Sequence, residues 1–244
     1  MKKKVNLLLT FMLVVLYNLA YSQCKSDLEK EKIKGNVKKI VETAINVKDG
    51  KNEINHIKIT TYDNTGKSLG YTFAHKNYEL KPTKIIYEFD KKGNKERENR
   101  LDLNDKIKNY LTFKYDSRGN IIKESYFFSD GRLDSYSLFK YNSTCDKIET
   151  KTFFSDGDLW FWYKFSYEDG KLIEVFDLQD STSSKFINDI QNNNIKYIKY
   201  DKFGDEKKSN IYTFEYDDKS NWTKKTHYEN GEIYWIEERQ YEYQ

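Results

Sequence analysis

The sequence predicts an all-β chain, an antiparallel meander of about 16 short strands curled into an open or flattened barrel-like sheet. Three observations carry this expectation. Turn signals recur roughly every 13 residues. The segments between them alternate apolar and polar residues with period two. Aromatic residues make up 16% of the 244 residues, far too many for a disordered polar chain.

The amino terminus reads as an export signal. Lys2, Lys3 and Lys4 precede an apolar run from Val5 to Leu19, and Ala20-Tyr21-Ser22 offers a small-residue cleavage site before Gln23. The predicted organisation is a signal peptide over 1–22, a short charged lead-in over 23–35 and one β-repeat domain over 36–244. Within the lead-in, Lys25 to Lys34 reads as helical. Export implies periplasm, cell surface or medium. Tyr21 and Gln23 stand where a lipobox has Leu and a small residue, which argues against a lipid anchor on Cys24. An oxidising compartment permits a Cys24–Cys145 disulfide, and two unpaired thiols are the simpler alternative.

Charge excludes one class of partner. The signal removes three of 42 basic residues and no acid, leaving 39 basic against 39 acidic residues. A neutral chain with five Arg is not built to grip nucleic acid.

The repeats follow in order. Tyr62-Asp63-Asn64-Thr65-Gly66 recurs as Phe89-Asp90-Lys91-Lys92-Gly93-Asn94 and Tyr115-Asp116-Ser117-Arg118-Gly119-Asn120. Tyr141 to Asp146 is a worn copy, Tyr167-Glu168-Asp169-Gly170 a shortened one and Tyr216 to Trp222 a late one. Between them, Phe128-Ser129-Asp130-Gly131, Phe154-Ser155-Asp156-Gly157 and Tyr228-Glu229-Asn230-Gly231 read as one kind of hairpin turn. Asp63, Asp90 and Asp116 lack the dense acidic spacing of a calcium loop and read as turn formers, so no metal site is expected. Ser181 to Asn194 reads as loops around one weak strand.

The Tyr-Asp-x-x-Gly-Asn signature resembles the YD repeats of Rhs-like exported bacterial proteins. The Asn-Gly and Asp-Gly turns also resemble MORN-like antitoxin-type repeats. The resemblance covers roughly Tyr62 to Gln244 and implies an architecture rather than an activity. The cleavage motif that releases a toxin from large Rhs proteins has no counterpart here.

Turn chemistry suggests which residues are neighbours. Two-residue loops at Asp130-Gly131 and Asp156-Gly157, with a four-residue loop from Asn142 to Cys145, align Phe128, Leu133, Phe154 and Leu159. They also align Ile122, Phe139, Ile148 and Phe165, making that face the core side. The other face aligns Phe127, Asp134, Phe153 and Trp160, then Ser125, Tyr136, Lys151 and Trp162, then Lys123, Leu138, Glu149 and Lys164. Phe127, Tyr136, Lys151, Phe153, Trp160 and Trp162 form the candidate ligand-binding surface for a glycan or envelope protein. The competing reading is cross-strand stabilisation, with Lys151 over Trp162 as a cation–π pair.

No catalytic constellation or cofactor motif stands out. His56, His75 and His227 lie on separate segments, and His227 reads as a surface strand residue. The expected function is non-catalytic binding or scaffolding at the cell envelope. An outer-membrane β-barrel and an envelope hydrolase on a β scaffold are the rivals. Strand number suits the membrane barrel, whereas Glu124, Glu174 and the Ser and Thr residues of the more apolar face count against it.

Overall fold

The structure is a computed structural model that describes residue 31 and residues 33–79, 82–189 and 193–244. The proposed signal peptide, Cys24 and most of the proposed helical lead-in lie outside the described residues. Ile33 and Lys34 are described and are not helical.

Among the described residues the chain forms sixteen strands in sequence order. They are β1 (Val37–Lys48), β2 (Lys51–Tyr62), β3 (Ser68–His75), β4 (Pro82–Phe89), β5 (Lys95–Leu101), β6 (Ile107–Tyr115), β7 (Ile121–Phe128) and β8 (Leu133–Tyr141). The second half is β9 (Lys147–Phe154), β10 (Leu159–Glu168), β11 (Lys171–Asp177), β12 (Thr182–Asn188), β13 (Asn194–Tyr200), β14 (Glu206–Tyr216), β15 (Trp222–Glu229) and β16 (Glu232–Tyr243). A 3₁₀ turn at Lys76–Tyr78 joins β3 to β4. Each strand pairs antiparallel with the next, and β1 pairs with β16 from Val37↔Tyr243 to Asn46↔Trp235. The expected antiparallel meander of sixteen strands is present, and it closes into a barrel.

The turns explain the register. In the YD turns the Asp amide bonds a carbonyl four residues on, as in Asp116 N–H to Asn120 O at 2.9 Å. The Gly119 amide returns to Asp116 O, and the Asp116 carboxylate accepts from the Arg118 and Asn120 amides. Those bonds hold the carboxyl below its usual range, overriding the upward push of burial. Asn120, fully buried, closes the box by donating Nδ2–H to Asp116 Oδ2 at 2.9 Å. This is a turn former, as its sequence suggests.

The Phe-Ser-Asp-Gly turns are built the same way. The Phe128 amide bonds Arg132 O, and the Gly131 amide bonds Phe128 O. Gly131 alone is left-handed in that loop, so the two-residue loops assumed at Asp130-Gly131 and Asp156-Gly157 are not formed. Two-residue turns with both central residues at positive φ occur at Asp49-Gly50, Asp169-Gly170 and Asn230-Gly231. The Asn230-Gly231 turn is thus a different kind from the Phe-Ser-Asp-Gly pair.

Most hairpins also carry a bulge just after the turn. Tyr115 pairs with Ile121 while Lys114 pairs with Lys123, leaving Ile122 over. Ile148, Asp134 and Trp160 are left over in the same way. One extra residue inverts the alternation of every side chain behind it. The anticipated rows change accordingly. Ile122 and Ile148 leave the core row, and Leu133 pairs with Phe127 and Leu159 with Phe153 on the opposite face. Phe128, Phe139, Phe154 and Phe165 keep the face assigned to them.

Pairing around the closed sheet separates two walls. One holds Ile40, Ile85, Leu111, Phe139, Tyr163 and Val175, each under 9% exposed, and is the inward wall. The other exposes Ile86, Leu138, Phe176 and Ile211 and is the outward wall. Glu124 faces inward, as anticipated, whereas Glu174 pairs with Lys185 on the outward wall. Apolar and charged residues share both walls.

Gly70 answers to a close approach. Its φ is +137°, and a Cβ there would lie 2.3 Å from Ile85 O in β4. Gly70→Ala should lower the unfolding free energy by about 1–3 kcal/mol from backbone strain alone. Urea unfolding followed by tryptophan fluorescence checks this, with Gly119→Ala as the comparison where the added Cβ meets open space.

Candidate functional site

The outward wall of β5 to β10 carries the residues singled out from sequence. Phe127 stacks on Tyr110 with ring centroids 5.0 Å apart, and the Arg97 guanidinium lies over Tyr110 at 3.6 Å. One repeat later, Phe153 stacks on Tyr136 at 5.1 Å, with Lys123 over Tyr136 at 4.5 Å. The two sandwiches repeat at 26 residues, 97–110–127 and 123–136–153. At the next copy Glu149 stands in place of the cation and Trp162 in place of the Tyr. There the Trp162 indole donates to Glu149 Oε1 at 2.7 Å, and Lys151 lies 4.1 Å over the ring.

Glu149 is the hub of this end of the stripe. Its carboxylate also meets Lys140 at 2.6 Å and Lys151 at 3.6 Å, while only 10% of its side chain is exposed. Burial pushes its pKa up, but the bonds from Lys140 and Trp162 and the nearby lysines bring it below the usual value.

The structure therefore brings Phe127, Tyr136, Lys151, Phe153 and Trp162 onto one wall, with a shifted register. Tyr136 faces Phe153 rather than Lys151, and Leu138 faces Lys151. Trp160 is the exception. As a bulge residue it leaves the row and stacks on Phe154 and Phe161 at 4.8 and 4.6 Å. Arg97 and Tyr110 complete the stripe with Lys123, which the sequence already places on this face. The 26-residue offset from Lys123 and Tyr136 is the signal that points to them.

A second cluster lies on the inward wall where the barrel closes. His56 on β2 and His75 on β3 stack at 6.4 Å, and His56 reaches Trp235 on β16 at 5.9 Å. The meeting crosses β1 at Ala44, which pairs with both His56 and Glu237 and is fully buried. A methyl group leaves room there for the two rings. Nearby, Arg239 bonds Glu42 at 2.8 Å and Glu31 at 3.1 Å, and Glu237 lies 3.8 Å from Lys225. His227 is 9% exposed, so it is an inward residue and not the surface residue its sequence suggested. Its Nε2 is 3.3 Å from Glu237 Oε1 but off the hydrogen-bond direction, which leaves that nitrogen without a hydrogen-bond partner. The hairpins β2–β3 and β15–β16 bring His56 to His75 and Lys225 to Glu237, but local pattern could not join the two halves, which meet only where β1 pairs with β16.

Among the described residues no group of three or more His, Cys, Asp or Glu is placed to hold a metal ion. Cys145 is disulfide-bonded, and Cys24 lies outside the described residues.

No family model matches the chain, and no curated protein matches it. Among solved structures it is similar to a porin-like protein from Bacteroides uniformis, 12% identical, with a TM-score of 0.61 over 84% of this chain and 96% of that one. At that identity the likeness concerns the fold alone. A TcdB2–TccC3 structure is also matched, 12% identical over 79% of this chain and 13% of that one, and its TM-score of 0.29 carries no argument.

Two predictions follow from the two clusters. Glu149→Ala strips the acceptor from Trp162 and the partner from Lys140. It should cost about 1–3 kcal/mol in urea unfolding. Burial lowers the pKa of His56 and His227 against the pull of Glu42 and Glu237, so the fold favours their neutral forms. Unfolding then takes up protons below the ordinary histidine value. Thermal stability should be full above about pH 6.5 and fall as pH drops below it. His227→Gln should flatten that fall in a Tm-against-pH series.

Proposed function

We propose that the chain is a non-catalytic exported barrel of the cell envelope that binds an envelope glycan or protein through its outward wall between β5 and β10. The observation that carries this reading is the 26-residue stripe of cations and rings, which places the same chemistry at regular steps along the sheet. Two strands separate successive steps, roughly 9.6 Å. Faces of Tyr110 and Tyr136 are already covered by their own cations and neighbouring rings, so a ligand meets ring edges, hydroxyls and ammonium groups. Such a surface suits polar or acidic chains better than a flat sugar-stacking platform would. The resemblance to exported YD-repeat proteins agrees with this reading.

A second reading is an outer-membrane β-barrel. Closure into sixteen strands and the porin-like neighbour favour it. The outward wall weighs against it. Lys151, Lys164, Lys185 and Glu174 point outward within their strands, and a lipid-facing Lys costs roughly 2–4 kcal/mol at the bilayer midplane.

Two measurements separate the readings. The exported protein is fractionated without detergent, then screened against peptidoglycan, surface polysaccharide and envelope extract beside a Tyr136→Ala/Trp162→Ala variant. Soluble protein whose binding drops at least about tenfold in the variant supports the wall as the site. Equal binding by a folded variant removes the site. Recovery only in detergent-extracted outer membrane, with heat-modifiable migration on a gel, transfers the conclusion to the membrane barrel.

A further inference from the structure

We propose that a row of lysines on the outward wall, Lys114, Lys123 and Lys151 with Lys140 and Lys164 beside it, binds a polyanionic glycan laid across the strands. The inference rests on the reading of that wall as a binding surface and names its ligand class.

The register builds the row. Lys114 on β6 faces Lys123 on β7, and Lys123 faces Leu138 on β8. Leu138 faces Lys151 on β9, and Lys151 faces Trp162 on β10. A shorter row lies beside it, where Lys140, Glu149 and Lys164 pair across β8, β9 and β10. Five lysines and one glutamate leave the two rows four charges positive. Beyond the proposed signal peptide the chain carries 39 basic and 39 acidic residues, so this charge is gathered rather than general.

Nothing within the fold balances it. Glu149 takes Lys140 at 2.6 Å and Lys151 at 3.6 Å. Lys114, Lys123 and Lys164 form no ion pair among the described residues. Lys123 instead lies over the Tyr136 ring at 4.5 Å. Like charges directly opposite each other across a sheet are destabilising. Lys114 and Lys123 stand in that relation, with Cβ atoms about 5 Å apart. Their flexible stems can bring both ammonium groups to one anionic group. The opposed pair destabilises the free barrel, and a bound anion relieves the repulsion.

The geometry suits a chain of charges. The longer row spans four strand spacings, roughly 19 Å. Leu138, 40% exposed, offers apolar surface to the carbon face of a sugar ring between Lys123 and Lys151. A protein partner would meet the wrong composition, because lysine is depleted in protein–protein interfaces. A single-stranded nucleic acid would need open rings on which to stack its bases. Here the Trp162 indole is held by Glu149 beneath Lys151, and Tyr136 is stacked on Phe153. A glycan bearing carboxylates or phosphates needs only the ammonium groups and the apolar strip.

The test measures calorimetric binding of the exported protein to oligogalacturonate, which carries carboxylates, to phosphomannan, which carries phosphates, and to neutral dextran. A charged glycan should bind, dextran should not, and affinity should fall as salt rises. Which of the two binds identifies the anionic group. A Lys114→Ser/Lys123→Ser/Lys164→Ser variant, folded by circular dichroism, should bind that glycan at least about tenfold more weakly. Lys185→Ser/Lys196→Ser/Lys224→Ser removes the same charge from the outward wall of β12 to β15 and should bind as the wild type does. Equal losses in both variants would reduce the effect to bulk charge and overturn the row. Tighter binding of single-stranded DNA of equal charge would overturn it as well. Should the first variant not fold, Lys164→Gln, at an exposed position, should weaken binding about threefold, and unchanged binding rejects the proposal. If neither charged glycan binds while envelope extract still binds and is lost in Tyr136→Ala/Trp162→Ala, the polyanion is rejected and the wall stands as the site. Extract binding that survives in every folded variant rejects the wall itself.

Discussion

The pairing of β1 with β16 is the constraint on which the rest depends. A meander left open would present two long edges of unpaired amides and carbonyls, which invite association with other chains. Closure removes both edges at once. It also defines an inside, so a strand with two half-polar faces acquires one buried wall and one exposed wall. The seam gathers groups that no other hairpin holds. Arg239, Glu42 and Glu31 link the first strand, the last strand and the lead-in, and the two acids raise the guanidinium pKa despite its burial.

The turns are the second level of organisation. At Asp63, Asp90, Asp116 and Asp217 one carboxylate oxygen satisfies two backbone amides, and in three copies the tyrosine before the turn ties it to its neighbour. Tyr115, Tyr141 and Tyr167 each donate a hydroxyl to a carbonyl twenty residues earlier, at Lys95, Ile121 and Lys147. Those three turns are thus each stitched to the one before. The opposite rim has no such tyrosines in its Phe-Ser-Asp-Gly turns, which fits their simpler sequence.

Much of this was legible in the sequence. The number of strands follows from the turn spacing, and the inward set Phe128, Phe139, Phe154 and Phe165 from period-two alternation. The pairing of Lys151 with Trp162 follows from the loop geometry at Asp156-Gly157 even though the loop itself is of another type. What was not legible has two physical sources. Bulges such as Ile148 and Trp160 shift parity by one residue, and period-two reasoning has no means to see a residue that belongs to neither face. The second source is closure, which joins residues about 190 positions apart. His56, Trp235 and Glu42 are ordinary strand residues until Ala44 lets them meet across the seam.

The two-strand unit has a consequence for how such chains diversify. An antiparallel ring closes on itself only with an even number of strands, and a 26-residue copy contributes two. Duplication or loss of one copy therefore conserves closure, whereas a change of a single hairpin arm does not. Each added copy widens the circumference by roughly 12 Å at a 40° tilt, or the diameter by roughly 4 Å. At constant tilt, bore would thus change in steps of one copy, with the seam and its ion pairs left untouched.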